Sequence, residues 1–146
     1  MIWVKVLSYN YWQRIIDFGN GANLDNVIIS CTKMSGLIRV VSLRNTWLQK
    51  FSTKSIALNE WVHITVASSG NNVILYLDGV EEFSFTAEMS DVVTTKNYLG
   101  KSNWNKEPNV HAIFDEMKIF NKALTIKEIM VEKDKVQPYR LIEIEF

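Results

Sequence analysis

The sequence predicts an all-β fold, a two-sheet antiparallel β-sandwich of the jelly-roll type with one short C-terminal helix. Short runs in which apolar and polar residues alternate fill most of the chain, as expected for strands buried on one face. Clusters of Asn, Asp, Ser and Gly separate these runs and are typical of tight turns. A helical spacing of apolar residues occurs only after residue 124. These features favour two packed sheets over a helical or mixed fold.

The segment 59–79, NEWVHITVASSGNNVILYLDG, predicts a central hairpin of strands 61–67 and 73–78. The polar stretch between them suits a loop, and Asp78-Gly79 predicts a two-residue turn into strand 80–86, since both turn positions require positive φ. Apolar residues alternate in both hairpin strands and are predicted to face the core: Val62, Ile64, Val66, Val73, Leu75 and Leu77.

Seven further runs predict the remaining strands. They are residues 2–7, 12–18, 27–31, 37–43, 47–51, 96–101 and 111–120. No internal repeat, low-complexity tract or linker interrupts this order, so residues 1–146 are expected to form a single domain. The chain begins within a strand, which suggests a domain of a longer protein.

The C-terminal part predicts the one helix. Thr125 and Glu128 fit a capping box, in which each side chain satisfies a free N–H group at the helix start. A stripe of two to three turns follows, formed by Ile126, Ile129, Met130 and Lys133. Beyond Pro138, residues 140–146 alternate again and predict a terminal strand.

Composition excludes several classes of protein. The formal net charge is zero, which gives no electrostatic case for binding nucleic acid, and no apolar run approaches the ~20 residues of a membrane span. No signal-peptide pattern is present at the start. Cys31 is the single cysteine, so no internal disulfide can form, and its apolar neighbours predict a small buried hydrophobe.

Five segments in order resemble a laminin-G-like domain of the concanavalin A-like lectin/glucanase superfamily. They are WQRIIDFGNG, NEWVHITVA, ILYLDG, NYLGKSNW and IFDEMKIFNKALTIKEI, and the resemblance runs from Trp3 to about Val131. It implies a jelly roll and favours an extracellular or cell-surface setting. The family's first strands are missing before residues 2–7, and we expect the additional strand 140–146 to fill the vacant edge beside the N-terminal strands.

Catalysis is not predicted. Glucanases of this superfamily carry the motif E-x-D-x-x-E on one strand, with the carboxylates on one face. The nearest match here places Asp115 beside Glu116, so strand alternation sends them to opposite faces. His63 and His111 lack a Ser or Cys partner in any recognisable motif.

Two aspartates are candidate metal ligands. The resemblance implies a Ca²⁺ site built from aspartates and backbone carbonyls, and it points to Asp115, which shares a strand face with Ile113 and Met117. Asp17 lies beside a Gly-rich loop and offers further oxygens. The alternatives are that Asp115 accepts backbone N–H groups or pairs with a basic residue, and that Asp17 supports a turn.

Two aromatic clusters are candidate sugar-binding platforms. Trp104 lies between Asn103 and Asn105 in a polar loop, and Tyr11 and Trp12 form the second cluster. Both could instead fold over the core. The remaining strand tryptophans, Trp3 and Trp61, are predicted to lie inside the sandwich.

The sequence therefore predicts a non-catalytic recognition module that binds carbohydrate or a protein partner, with calcium as a further expectation. The second hypothesis is a structural or assembly subunit without a small-molecule ligand. A glucanase-like glycoside hydrolase has the least support.

Overall fold

Ten strands and one helix form within the residues that the computed structural model describes, which are 1–32, 35–89, 92–136 and 138. The strands are β1 (Ile2–Ser8), β2 (Arg14–Gly19), β3 (Asn26–Cys31), β4 (Leu37–Leu43), β5 (Trp47–Ser55), β6 (Trp61–Ser69), β7 (Asn72–Leu77), β8 (Val80–Thr86), β9 (Lys96–Leu99) and β10 (His111–Asp115). The helix α1 spans Ile126–Asp134. In the described part of the chain, no helix is long and apolar enough to cross a bilayer.

The strands form two antiparallel sheets of five strands each. Sheet I has the order β10-β1-β6-β7-β8, and sheet II has the order β5-β4-β3-β2-β9. The predicted two-sheet antiparallel β-sandwich with one short helix is confirmed.

The main core lies between the sheets. The alternation predicted for the central hairpin is confirmed, because its alternate apolar residues pack in this core: Val62, Ile64, Val66, Val73, Leu75 and Leu77. From sheet II, the core receives Ile16, Ile29, Cys31, Ile38 and Val40. Cys31 is fully buried, and burial raises the pKa of its thiol to about 11. The thiol is therefore a buried, protonated group, as predicted.

The turns around β7 follow the predicted chemistry. Asp78 and Gly79 have φ of 52° and 84°, which is the positive-φ pair that a two-residue hairpin turn requires. The preceding loop is shorter than predicted, because β6 continues to Ser69 and β7 begins at Asn72. Gly70, with φ of 56°, makes that tight turn.

The helix begins at the predicted capping box. The Thr125 hydroxyl accepts from the Glu128 N–H, and the Glu128 carboxylate accepts from the Thr125 N–H. Ile129 is fully buried against the outer face of sheet I, whereas Ile126 and Met130 remain 43% and 37% exposed. The predicted apolar stripe is therefore only partly buried, because a nine-residue helix contacts the flat sheet along a narrow line.

Two tryptophans lie outside the main core, which corrects the prediction. Val4 and Val62 face the interior, so alternation sends Trp3 and Trp61 to the outer face of sheet I. Trp3 is still buried, and its Nε1 donates to the carbonyl of Val136 just beyond α1. Trp61 stacks under the Lys5 amine at 5.3 Å.

The premise of a vacant edge beside the N-terminal strands is wrong. β1 pairs with β10 and β6, and β2 pairs with β3 and β9, so each is internal to its sheet. The predicted strand 140–146 lies outside the described residues.

Strand β10 ends at Asp115, five residues before the predicted end. Ala112 and Phe114 pack on the core, so Asp115 lies on the opposite face, which corrects its predicted apolar setting. The next residue, Glu116, has φ of 46°, and this turn ends the strand. Met117, beyond this turn, packs on the core again. It therefore does not share a face with Asp115, contrary to the prediction from strict alternation.

Candidate functional site

The outer face of sheet II carries three tryptophan rings and two arginine side chains in mutual contact. We call this group the tryptophan–arginine cluster; its members are Trp12, Trp47, Trp104, Arg14 and Arg39. It lies on the face opposite the main core.

Strand pairing places the two arginines in one row across the sheet. Arg14 on β2 pairs with Ser30 on β3, Ser30 pairs with Arg39 on β4, and Arg39 pairs with Phe51 on β5. Because Val40 faces the core, Arg39 faces outward. Both arginines are nevertheless buried, at 2% and 4% exposure, so other groups must cover this face.

The contacts close into a ring. The Arg39 guanidinium lies 4.1 Å from the Trp12 ring centroid and 6.0 Å from that of Trp47. The Trp47 and Trp104 rings meet edge to face, with centroids 6.1 Å apart. Arg14 lies 5.4 Å from the Trp104 centroid and donates through Nη1 to the Trp12 carbonyl at 2.8 Å. Each of the three tryptophan rings therefore contacts a guanidinium group.

The loop that carries Trp104 crosses the sheet. This loop follows β9 at one edge of sheet II, yet the Trp104 ring reaches Trp47 on β5 at the other edge. Ile28 and Val41 are fully buried although neither belongs to the main core. They lie on the outer face, so the rings and the loop together cover a second, smaller apolar layer.

Asp17 and Glu107 fasten this loop to the sheet. The Asp17 carboxylate accepts from the backbone and side-chain N–H groups of Asn103, each at 2.9 Å, and from Asn26 Nδ2 at 3.0 Å. Glu107 lies 2.6 Å from Arg14 Nη2 and accepts from the Ser102 hydroxyl. The loop is therefore fixed to the sheet at two points.

Burial makes both guanidinium groups electrostatically costly. It lowers the pKa of Arg14, and Glu107 and Asp17 partly offset that effect. It lowers the pKa of Arg39 to about 10, with the nearby charge of Arg14 as the second cause. Both side chains remain protonated at neutral pH.

Several rings of this face reach solvent. Tyr11 is 56% exposed and contacts Trp12 edge to face, with centroids 5.3 Å apart. Trp47 is 38% exposed and Phe51 is 36% exposed, whereas Trp12 and Trp104 are half-buried. The face therefore offers aromatic surface beside buried polar donors and acceptors.

The structure brings the two predicted aromatic clusters together. Tyr11 and Trp12 approach from one side, and Trp104 and Asn103 approach from the other. Asn105 is exposed in the same loop. The Asn103 amide N–H groups donate to Asp17 and to the Lys96 carbonyl, and its role in ligand binding stays a prediction.

Sequence reasoning missed four residues of this site: Trp47, Arg14, Arg39 and Glu107. A signal for the arginines was present, because each one interrupts an apolar strand pattern, in WQRII and LIRVV. A charge at such a position is rarely buried without partners. Trp47 and Glu107 carried no comparable signal, since both become part of the site only through long-range contacts.

The residues predicted to bind calcium do not form one centre. Asp17 lies in sheet II with its oxygens engaged, and Asp115 lies in sheet I, where its Oδ1 accepts from the Glu116 N–H. Within the described ranges, no three His, Cys, Asp or Glu side chains are grouped so as to hold a metal ion. Calcium binding at Asp115 stays a prediction.

Two carboxylates, Asp17 and Glu107, lie beside the tryptophan–arginine cluster, and both are engaged. Asp17 is fully buried under three N–H donors, and Glu107 is bound to Arg14. A retaining or inverting glycosidase needs one carboxylic acid able to release a proton and one free carboxylate. Neither residue fits that requirement.

A family model matches residues 1–130 of the chain, and its description is the concanavalin A-like lectin/glucanase superfamily. The chain belongs to this superfamily. The resemblance given by the five sequence segments is confirmed. A search of curated protein sequences finds no match.

Solved structures add two similar folds. Domain 4 of AbnA, a GH43 extracellular arabinanase from Geobacillus stearothermophilus, was solved in complex with arabinotriose; it is 25% identical, with a TM-score of 0.70 over 90% of this chain. A proposed carbohydrate-binding protein from Bacteroides ovatus is 14% identical, with a TM-score of 0.67 over 88% of this chain. The chain spans 63% and 38% of those two chains, respectively. This chain therefore shares its fold with both of these solved structures.

Proposed function

We propose that this chain is a non-catalytic carbohydrate-binding module and that the tryptophan–arginine cluster, with Tyr11 beside it, is its binding surface. The single observation that carries the proposal is the set of partly exposed rings packed on buried guanidinium groups on one sheet face. We propose arabino-oligosaccharides as the first ligands to test.

The chemistry of the cluster suits a sugar. The C–H faces of a sugar ring are apolar and stack on aromatic rings, while its hydroxyl groups require hydrogen-bonding partners. Trp47 and Tyr11 supply exposed ring surface, and Asn105 and Glu107 lie in the loop beside Trp104. Ring faces and polar groups therefore occur within one surface.

Two observations support a binding role without catalysis. Asp17 and Glu107, the two carboxylates beside the cluster, are engaged in hydrogen bonds or ion pairs, which leaves neither as an acid or a nucleophile. The similar AbnA domain was solved with arabinotriose, at an identity of 25% and a TM-score of 0.70. We infer that the present chain binds a related ligand class.

Isothermal titration calorimetry with arabinotriose tests the proposal, alongside a panel of linear pentose and hexose oligosaccharides. We expect measurable binding of one sugar class and a loss of at least about tenfold for Trp47→Ala, because removing one stacking ring costs about 1.4 kcal/mol or more. Trp47 lies on the edge strand β5, so its removal should leave the main core intact.

Trp61→Ala is the matched control, because Trp61 is also a partly buried strand tryptophan but lies on sheet I. It should bind the sugar as the unmodified chain does. The proposal fails if no oligosaccharide of the panel binds, which is what an assembly subunit without a small-molecule ligand would show. It also fails if Trp47→Ala and Trp61→Ala bind equally well.

A further inference from the structure

Arg39 is the member of the tryptophan–arginine cluster that contacts two tryptophan rings. It lies on β4, next to the edge strand of sheet II, and its side chain emerges between Trp12 and Trp47. Its Nε donates to the Ser30 hydroxyl at 3.0 Å, which fixes the guanidinium plane against the sheet. The distances to both ring centroids fall within the range of cation–π contacts.

Gln49 links Arg39 to the second ring by a separate route. Its Oε1 accepts from Trp47 Nε1 at 3.0 Å and from Arg39 Nη1 at 3.4 Å. One amide oxygen therefore couples the indole orientation of Trp47 to the guanidinium. Trp12 is held directly by Arg39, because the guanidinium lies 4.1 Å from its ring centroid.

The contacts of Arg39 are not those of a stabilising ion pair. No carboxylate lies within 4.0 Å of it among the residues that the structure describes, and its Nη2 is buried without a hydrogen-bond partner. A buried charge with incomplete partners is costly, and well-packed apolar residues at such positions often give equal or greater stability. Stability alone therefore does not account for an arginine here.

We propose that Arg39 is a positioning residue that sets the orientation of Trp12 and Trp47 before a ligand arrives. The inference rests on the proposed sugar-binding function of the cluster and adds a determinant of affinity to it. A planar guanidinium matches the flat face of an indole, and rings held in advance lose less conformational entropy on binding.

Arg39→Met tests this inference, since methionine keeps much of the apolar volume and removes the plane and the charge. We expect cooperative unfolding with a melting temperature within about 5 °C of the unmodified chain. The far-ultraviolet exciton couplet of the Trp47–Trp104 pair should lose most of its amplitude, because the Trp47 ring is no longer fixed. Affinity for arabinotriose, or for the panel sugar that binds best, should fall about tenfold.

Arg44→Met is the matched control. Arg44 is also largely buried and follows the same strand, but it pairs with Asp25 and the Met89 carbonyl rather than with a tryptophan. We expect this variant to keep both the couplet and the affinity. Arg39→Lys keeps the charge without the plane, and it should fall between the unmodified chain and Arg39→Met in both measurements.

The inference is overturned if Arg39→Met keeps the couplet and the affinity, or if Arg44→Met loses them to the same extent. If Arg39→Met does not fold, Arg39→Lys decides, and an unchanged couplet in that variant contradicts the inference. If the unmodified chain binds none of the sugars, the proposed function fails. The couplet of the variants still tests whether Arg39 positions the rings.

Discussion

Asp17 connects three parts of sheet II through one carboxylate. It is fully buried, and it accepts from Asn26 on β3 and from two N–H groups of Asn103 in the loop that carries Trp104. Arg14 Nε lies 3.9 Å away and adds a positive charge. A buried carboxylate is tolerated at this position because both of its oxygens accept from N–H donors and a cation lies nearby.

We predict that Asp17→Asn lowers the free energy of unfolding by about 3 kcal/mol. The amide would place an NH₂ group where one carboxylate oxygen now accepts, facing a donor of Asn103 or Asn26, and the charge next to Arg14 would be lost. Urea denaturation monitored by circular dichroism measures this change. Tryptophan emission should also shift towards longer wavelengths, because the Trp104 loop loses one of its two anchors.

Asp134→Asn is the control for Asp17. Asp134 has a side chain that is 59% exposed at the end of α1, and its amide variant should stay within about 0.5 kcal/mol of the unmodified chain. An Asp17→Asn variant as stable as this control would show that the carboxylate is not the anchor we describe.

At the level of elements, α1 acts as a cover for the outer face of sheet I. Beneath it lie Ala67 and Tyr76, which pack against Ile129, and the neighbouring Trp3 and His63 are also buried. The Trp3 and His63 rings meet edge to face with centroids 5.0 Å apart. The helix therefore packs on an apolar surface that includes the imidazole ring of His63.

His63 makes the packing of α1 on sheet I sensitive to acid. Burial is the main cause that lowers its pKa to about 4, followed by the positive charges of the N-terminal amine, Lys133 and Lys118, while Asp134 opposes them. The folded-state pKa lies below the unfolded value of about 6.5, so the neutral ring is favoured in the folded state. This stability is fully present above about pH 6.5 and is lost as the pH falls towards 4.

We predict that His63 by itself lowers the free energy of unfolding by about 2 kcal/mol between pH 7.5 and pH 5, because the unfolded state takes up the proton that the folded state excludes. Urea denaturation at several pH values measures this loss. His63→Gln, which is neutral throughout, should remove this contribution and leave that of the Met1 amine, whose pKa burial lowers to about 6.

His111→Gln is the control, because His111 is exposed on β10. It should leave the pH dependence as it is in the unmodified chain. An unmodified chain with constant stability from pH 7.5 to 5 would contradict the account of His63.

At the level of the whole molecule, the two outer faces of the sandwich are covered in different ways. Helix α1 covers sheet I, whereas a loop and a set of partly exposed rings cover sheet II. The five tryptophans divide accordingly: Trp3 and Trp61 lie on sheet I, and Trp12, Trp47 and Trp104 lie on sheet II. Function is proposed for the second face only.

Much of this fold could be predicted, because alternation reports directly on burial. Strand β4 was predicted with its observed bounds, since its inward residues are regularly spaced. Strand β5 was predicted only as far as Phe51 but continues to Ser55, because most of its residues are exposed and carry no apolar pattern. Trp3 was misplaced because alternation cannot tell which face of a strand is the main core when both faces are buried.

Only part of the candidate site could be predicted from the sequence. Trp104 and Trp12 were recognised from their polar neighbours, but their union depends on the pairing of β2, β3, β4 and β5. That pairing brings Arg39 against Trp12, which is 27 positions away in the sequence (39 − 12). Local composition carries no information about such contacts.

Carbohydrate binding at the tryptophan–arginine cluster is tested most directly by the five indole N–H signals of a ¹⁵N-labelled sample. On titration with arabinotriose, or with the panel sugar that binds best, we predict shifts for Trp47, Trp104 and Trp12 and none for Trp3 and Trp61. Shifts confined to Trp3 and Trp61, or saturable binding that moves none of the five signals, would contradict it.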